Sequence, residues 1–163
     1  MATHPQPRPI FHSQGSFEDL DAVMEVMDTA FSPAFGEAWS RSQCAGILPM
    51  NGVRLTVAHD GSPAGRVVGF ALHRTVSDEA ELLLLAVRPE DQGRGIGHGL
   101  VDAFVAGAYS QGARRLHLEV RDGNPATHLY AHAGFQVAGR RRAYYRGTDG
   151  VRHDALTFAR TLD

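Results

Sequence analysis

Four glycines at alternate positions, Gly93, Gly95, Gly97 and Gly99, stand between an unbroken apolar run over 82–87 and an amphipathic segment that begins near Ile96. Glycine in a helix interior costs roughly 0.5–1 kcal/mol relative to alanine. Glycines at this density therefore need a reason beyond helix formation. Lacking a Cβ, they let backbone N–H groups approach a ligand closely. A helix N-terminus adds four unpaired N–H groups and a partial positive charge. A buried strand, a glycine turn and a helix in that order make an anion-binding corner suited to a phosphate or diphosphate.

Spacing narrows the ligand. The dinucleotide pattern G-x-G-x-x-G fails, because its third glycine falls on His98 when counted from Gly93 and on Leu100 when counted from Gly95. A P-loop needs a lysine, and all 16 basic residues of this chain are arginines. The same lack of lysine excludes Schiff-base and pyridoxal-phosphate chemistry on a protein amine. The segment does match Gln-x-x-Gly-x-Gly, as Gln92, Gly95 and Gly97, with Arg94 placed to add a charged contact.

Around this corner the hydrophobic pattern gives a scaffold. A short strand is expected at 10–12. Ser16 with Asp19 opens a helix whose apolar face is Phe17, Leu20, Met24, Met27 and Phe31, and Pro33 ends it. Ser40 with Gln43 opens a second helix that stops at Pro49-Met50-Asn51-Gly52. Strands follow at 53–57, 66–75 and 80–87, the last apolar on both faces and therefore central in its sheet. A helix over 95–110, a strand over 115–120, a helix over 125–133 and strands over 135–145 and 153–160 complete the order. The final pair is joined by the turn Thr148-Asp149-Gly150. This is an α/β arrangement with hairpins at both ends of the sheet.

Residues 1–9 are polar and Pro-rich and read as a flexible tail rather than a secretory leader, with 10–163 as one domain. Apolar residues at 43%, charged residues at 21% and a net charge of −2 fit a soluble cytoplasmic protein that binds neither nucleic acid nor membrane. The single cysteine, Cys44, excludes an internal disulfide and reads as a small core residue. His128 and His132 have a zinc-compatible spacing but no third ligand, so no metal is expected.

Landmarks beyond the glycine corner recur in order: Leu85-Ala86-Val87, Gln92 to His98, Leu118-Glu119-Val120-Arg121, Leu129-Tyr130, Gly134-Phe135, Arg142-Ala143-Tyr144-Tyr145, Thr148-Asp149-Gly150 and Asp154-Ala155. Together they resemble the Gcn5-related N-acetyltransferase (GNAT) superfamily. From Ala80 onward the chain is most like the bacterial ribosomal-protein-alanine N-acetyltransferases, while the first half matches only in layout. The resemblance implies a mixed, mostly antiparallel sheet of six to seven strands flanked by about four helices. It implies an acyltransferase that uses acetyl-CoA as cosubstrate. The favoured acceptor is a protein N-terminal amine, and a small-molecule amine, amino acid or drug is the first alternative. A non-catalytic acyl-CoA sensor is the second alternative. Either a monomer or a homodimer is compatible.

Residue by residue, the resemblance assigns the pantetheine arm to the backbone of Leu85, Ala86 and Val87. The diphosphate falls to Gln92, Gly93, Arg94, Gly95, Ile96, Gly97 and His98. Glu119 takes the place of the general base, Tyr130 that of the general acid and a CoA contact, and Tyr144 with Tyr145 that of the acceptor groove. Residues 31–39 and 144–148 would set the acceptor. The family's Asn falls here on Gly123, with Asn124 displaced by one and the Glu119–Tyr130 interval one residue short, so Asn124 is a conditional CoA contact. Plainer readings stand beside these. Glu119 is otherwise a surface carboxylate or a partner of Arg121, Tyr130 packs on Phe135, and Tyr144, Tyr145 and Arg140 to Arg142 form a solvated edge, with an acidic partner or the CoA 3′-phosphate as other uses for the arginines.

Overall fold

The structure, a computed structural model, describes residues 6–163, so residues 1–5 of the expected tail lie outside the described residues. The order is β1 (Ile10–Gln14), α1 (Leu20–Ala30), α2 (Arg41–Ile47), β2 (Val53–Asp60), β3 (Val67–Val76), β4 (Glu79–Val87), α3 (Ile96–Ser110), β5 (Arg115–Arg121), α4 (Ala126–His132), β6 (Gln136–Arg146) and β7 (Arg152–Thr161). Both expected helix starts are reciprocal capping boxes, Ser16 with Asp19 and Ser40 with Gln43. The first opens a single 3₁₀ turn, Phe17–Asp19, that leads into α1. At the N-terminal side, Arg8 pairs with Asp60 at 2.8 Å and the Pro9 carbonyl accepts from Gly61 N–H at 2.8 Å. Two residues assigned to the tail are thus fastened to the sheet edge.

The seven strands lie in the order β1-β2-β3-β4-β5-β7-β6. Every neighbouring pair is antiparallel except β4 and β5. That one parallel pair needs a crossover, which α3 supplies. It also leaves β4 fourth of seven, where its apolar residues are covered on both faces. One face packs Leu100 and Phe104 of α3 with Leu116, Leu118, Phe135 and Phe158. The other packs Val23 and Met27 of α1 and Cys44 of α2 on Val57, Phe70 and Leu72. Cys44 is a core residue as expected, and burial pushes its thiol pKa up. Within this interior His73 is buried beside Gln111, whose Oε1 lies 3.0 Å from His73 Nε2 and accepts from the Thr75 hydroxyl at 2.9 Å.

The parallel pair is short. β4 and β5 are matched only from Glu79 and Arg115 to Leu82 and Leu118. Beyond that point β4 follows β3 as far as Val87 opposite Gly69, and β5 follows β7 as far as Arg121 opposite Ala155. The register of β3 explains the parting: Leu72 pairs with Leu84 and His73 with Leu82, so Leu83 is an extra residue on β4. A bulge of this kind bends its strand and raises its twist. Here it turns the end of β4 away from β5 and opens a crevice in the middle of the sheet.

Candidate active site

The wide end of the crevice meets the N-terminus of α3. Gly93 and Gly95 have φ of +83° and +77°, the left-handed region in which a side chain is strained. A Cβ on either would point into open space, so these glycines are required by the turn rather than by crowding. Gly99 N–H donates to Gly95 O at 3.1 Å, the first bond of the helix. The preceding donors, Gly95 to His98, are therefore the orphan N–H groups of a helix start. They face a cavity of about 550 Å³ lined by Leu85, Ala86, Val87, Gln92, Gly93, Gly95, Ile96, Gly97 and His98 on one side and by Phe31, Glu37, Arg121, Asn124 and Leu129 across it. A concave wall of unpaired N–H donors on a positive dipole, continued by apolar strand, fits a ligand with a diphosphate and a slim apolar arm.

Arg94 departs from its expected role. Its guanidinium donates to Asp91 Oδ1 at 3.0 Å, Asp60 Oδ1 at 2.9 Å and the Arg8 carbonyl at 3.1 Å. Asp60 and Asp91 are buried, and buried carboxylates need a cation. The hydrogen bond from Arg94 holds the Asp60 carboxyl below the usual carboxylate range. Arg94 is thus a brace behind the turn, and only its main chain belongs to the anion corner.

The narrow end is a second cavity of about 50 Å³, lined by Leu82 to Leu85, Leu118, Glu119, Val120, Tyr130 and Tyr145, together with Phe31, Glu37, Asn124 and Ala126. The expected pair Glu119 and Tyr130 therefore reaches one space, from opposite faces of the sheet, through the parting of β4 and β5. Tyr130 packs edge-on to Phe135 at 6.3 Å, as its plainer reading required, and still lines the crevice. Burial, and then the Glu37 charge, push its phenol pKa well above 10, so the hydroxyl keeps its proton at physiological pH.

Glu119 is largely buried, with Oε2 accepting from the Thr157 hydroxyl at 2.7 Å and Oε1 lying 3.2 Å from Arg141 Nε. Its partner is not Arg121, which is paired with Glu37. Strand alternation puts Glu119, Arg121, Thr157, Ala155, His153, Arg141 and Tyr145 on one face of β5, β7 and β6. Tyr145 lies half-buried on the crevice, its phenol raised by burial first. Tyr144, beside it on a bulge where Ala143 has φ of +53°, is exposed. Asn124 accepts from Ala126 N–H at 2.9 Å, at the start of α4, and donates to Glu37 Oε2 at 2.8 Å, and it lines both cavities despite its shifted position. Arg140 is spent on Asp122 and Asp154.

Glu37 is the site residue that sequence reasoning missed. It sits between α1 and α2, and the one available signal is that it is the sole charge between Asp28 and Arg41. The segment that carries it is pinned to the β6–β7 hairpin. Thr148 N–H donates to Pro33 O at 3.1 Å, and Phe35 lies edge-on to His153 at 5.3 Å and beneath the Arg121 guanidinium at 3.7 Å. Segments 31–39 and 144–148, expected to set the acceptor, thus form one wall. Among the described residues no helix is long and apolar enough to cross a membrane, and no three metal-ligand side chains come together.

This constellation, a split central sheet with a helix-start anion corner, defines a class, and the chain belongs to it: residues 20–135 match the Acetyltransferase (GNAT) family. Among particular relatives, the ribosomal protein bS18-alanine N-acetyltransferase of Salmonella typhimurium is 39% identical over 145 residues, covering 88% of this chain and 92% of that protein. The enzyme of that name from Haemophilus influenzae is 37% identical over 94 residues, 58% of this chain, and the match spans 64% of that relative's length. The crystal structure of the Escherichia coli ribosomal-protein-S18-alanine N-acetyltransferase superposes with a TM-score of 0.81 at 31% identity, covering 95% of each chain.

Proposed function

We propose that this protein is an acetyl-CoA-dependent N-acetyltransferase whose acceptor is the α-amine of a protein N-terminus. The observation that carries the proposal is the parting of β4 from β5, which connects the anion corner to a crevice lined by Glu119 and Tyr130. Acetyl-CoA supplies an activated acyl thioester. The N–H groups of Gly93 to His98 hold the diphosphate, and the free edge of Leu85 to Val87 pairs with the amide arm. The backbone N–H of Val87 is placed to polarise the thioester carbonyl, where a fixed donor acts on developing charge. Glu119 takes the proton that the amine must lose, directly or through water. An α-amine, with a reference pKa of about 7.7–8.0 against about 10.4 for lysine, asks little of that base. Tyr130 holds the proton for the departing CoA sulfur.

Two features favour a peptide acceptor: the wall built by 31–39 and 144–148 lies open beside the crevice, and relatives similar over most of their length carry the name of ribosomal-protein-alanine N-acetyltransferases. The test is acetyl-CoA turnover, read as thiol release, on peptides that differ only in the first residue and on a panel of small amines. Fastest turnover on Ala-initiated peptides supports the proposal. Fastest turnover on a small amine replaces the acceptor, and CoA binding without turnover on any amine replaces the chemistry with sensing.

A further inference from the structure

Glu37 stands where three parts of the molecule meet. Its carboxylate is nearly buried, at 9% side-chain exposure, and each oxygen has its own donor: Arg121 Nε on Oε1 and Asn124 Nδ2 on Oε2 at 2.8 Å. Arg121 is the last residue of β5, and Asn124 accepts from the first N–H of the helix that carries Tyr130. The loop that carries Glu37 is itself fixed to the β6–β7 hairpin through Pro33 and Phe35. Arg121, held by Glu37, lies over the Phe35 ring. Glu37 also lines both cavities. Arg121 makes a second link between the same parts, since its guanidinium also donates to the Asp122 carbonyl of the turn at 3.2 Å.

We propose that Glu37 is a positioning residue for acyl transfer, a clamp that joins the acceptor wall (31–39) to the start of α4 and so fixes Tyr130 across the crevice from the acceptor. The role rests on the N-acetyltransferase reading above. It accounts for the short interval between Glu119 and Tyr130: the tight Asp122-Gly123-Asn124 turn, with Gly123 at φ +91°, is held from outside by a carboxylate of another loop. Arg121 from β5 and Asn124 from the turn hold Glu37 directly, and Tyr130 from α4 and Tyr145 from β6 line the same narrow cavity. Both of its carboxylate oxygens are engaged, one by Arg121 and one by Asn124, so it acts by holding these groups in place.

The experiment compares wild type with Glu37→Gln, which keeps the volume and one acceptor oxygen, and Glu37→Ala, which keeps neither. The anion corner is formed by other residues, so the dissociation constant for CoA, measured by calorimetry without turnover, should stay within about twofold for Glu37→Gln. Its kcat should fall about tenfold with KM for acetyl-CoA unchanged, and Glu37→Ala should lose more. Amide hydrogen exchange supplies a readout that needs no catalysis: residues 32–39 and 122–130 should exchange faster together in both variants. Unchanged kcat in Glu37→Gln overturns the proposal, as does a parallel loss of CoA affinity or exchange that rises in one segment alone. If the wild type turns over no amine, the N-acetyltransferase reading fails, and the paired exchange still decides whether Glu37 is a clamp.

Discussion

The two ends of the crevice are built on opposite principles. The anion corner is made of main chain: consecutive residues, a helix start, and glycines that clear the way. The narrow end is made of side chains from four separate segments, Glu37, Glu119, Tyr130 and the β6 pair Arg141 and Tyr145, with no two adjacent in sequence. The first depends on local conformation and tolerates change in what surrounds it. The second depends on register across β5, β7 and β6 and on a loop docked from the other half of the chain. One end should therefore fail in binding and the other in turnover.

The largest effect expected is that of Tyr130→Phe. Loss of a general acid typically costs 10²–10⁴-fold, so kcat should drop by about 10²-fold or more while CoA still binds. Equal loss of affinity and kcat would erase the contrast. Glu119→Gln should lower kcat by about tenfold on an N-terminal amine, with a deficit that grows as pH falls and less of the amine is neutral; a pH–rate profile on one peptide measures it. Gly95→Ala should do the reverse. Forcing an alanine into the left-handed region costs about 1–2 kcal/mol of stability, and weaker CoA binding should accompany it, read by denaturant unfolding and calorimetry.

The smallest effect lies outside both ends, in the polar interior. Burial lowers the His73 pKa below its usual 6.5, so the unfolded chain takes up the proton before the folded one does. Stability from this group is present above about pH 6.5 and is lost as pH falls, with a slope of at most about 1.4 kcal/mol per pH unit. His12, also lowered by burial, adds to the same trend. His117, raised chiefly by its hydrogen bond to Glu81, opposes it, because its contribution is present at low pH and is lost as pH rises. Urea unfolding between pH 5 and 8 should show the fall, and His73→Gln should flatten it.

The same division explains what could be read from the sequence. Every α-helix and strand among the described residues is legible in periodicity, capping residues and turns, because those signals are local, while the 3₁₀ turns Pro33–Phe35 and Pro89–Asp91 are not. The anion corner was visible for the same reason. The parting of β4 from β5 leaves no mark in the sequence, since Leu82 to Val87 reads identically with or without a bulge at Leu83. Arg94 looked like an anion ligand because nothing near it in sequence reveals that Asp60, from another strand, claims it. One plainer reading of Glu119 makes it a partner of Arg121, two residues along the same strand. Its actual partner, Arg141, comes from β6, two strands away, and Arg121 is taken by Glu37. Glu37 itself lacks a motif, and only the fold gives it neighbours.

An unmatched strand edge is ordinarily a liability, a ready template on which another chain can pair and begin to aggregate. Besides the outer edges of β1 and β6, this protein carries two such edges inside the sheet, the last stretch of β4 and the end of β5. They face each other across a slot of about 50 Å³ at its narrow end, too confined to admit a second folded sheet. Hydrogen-bonding capacity that would be hazardous outside is thus kept in the molecule's interior, reachable by a thin flexible guest and closed to a copy of itself.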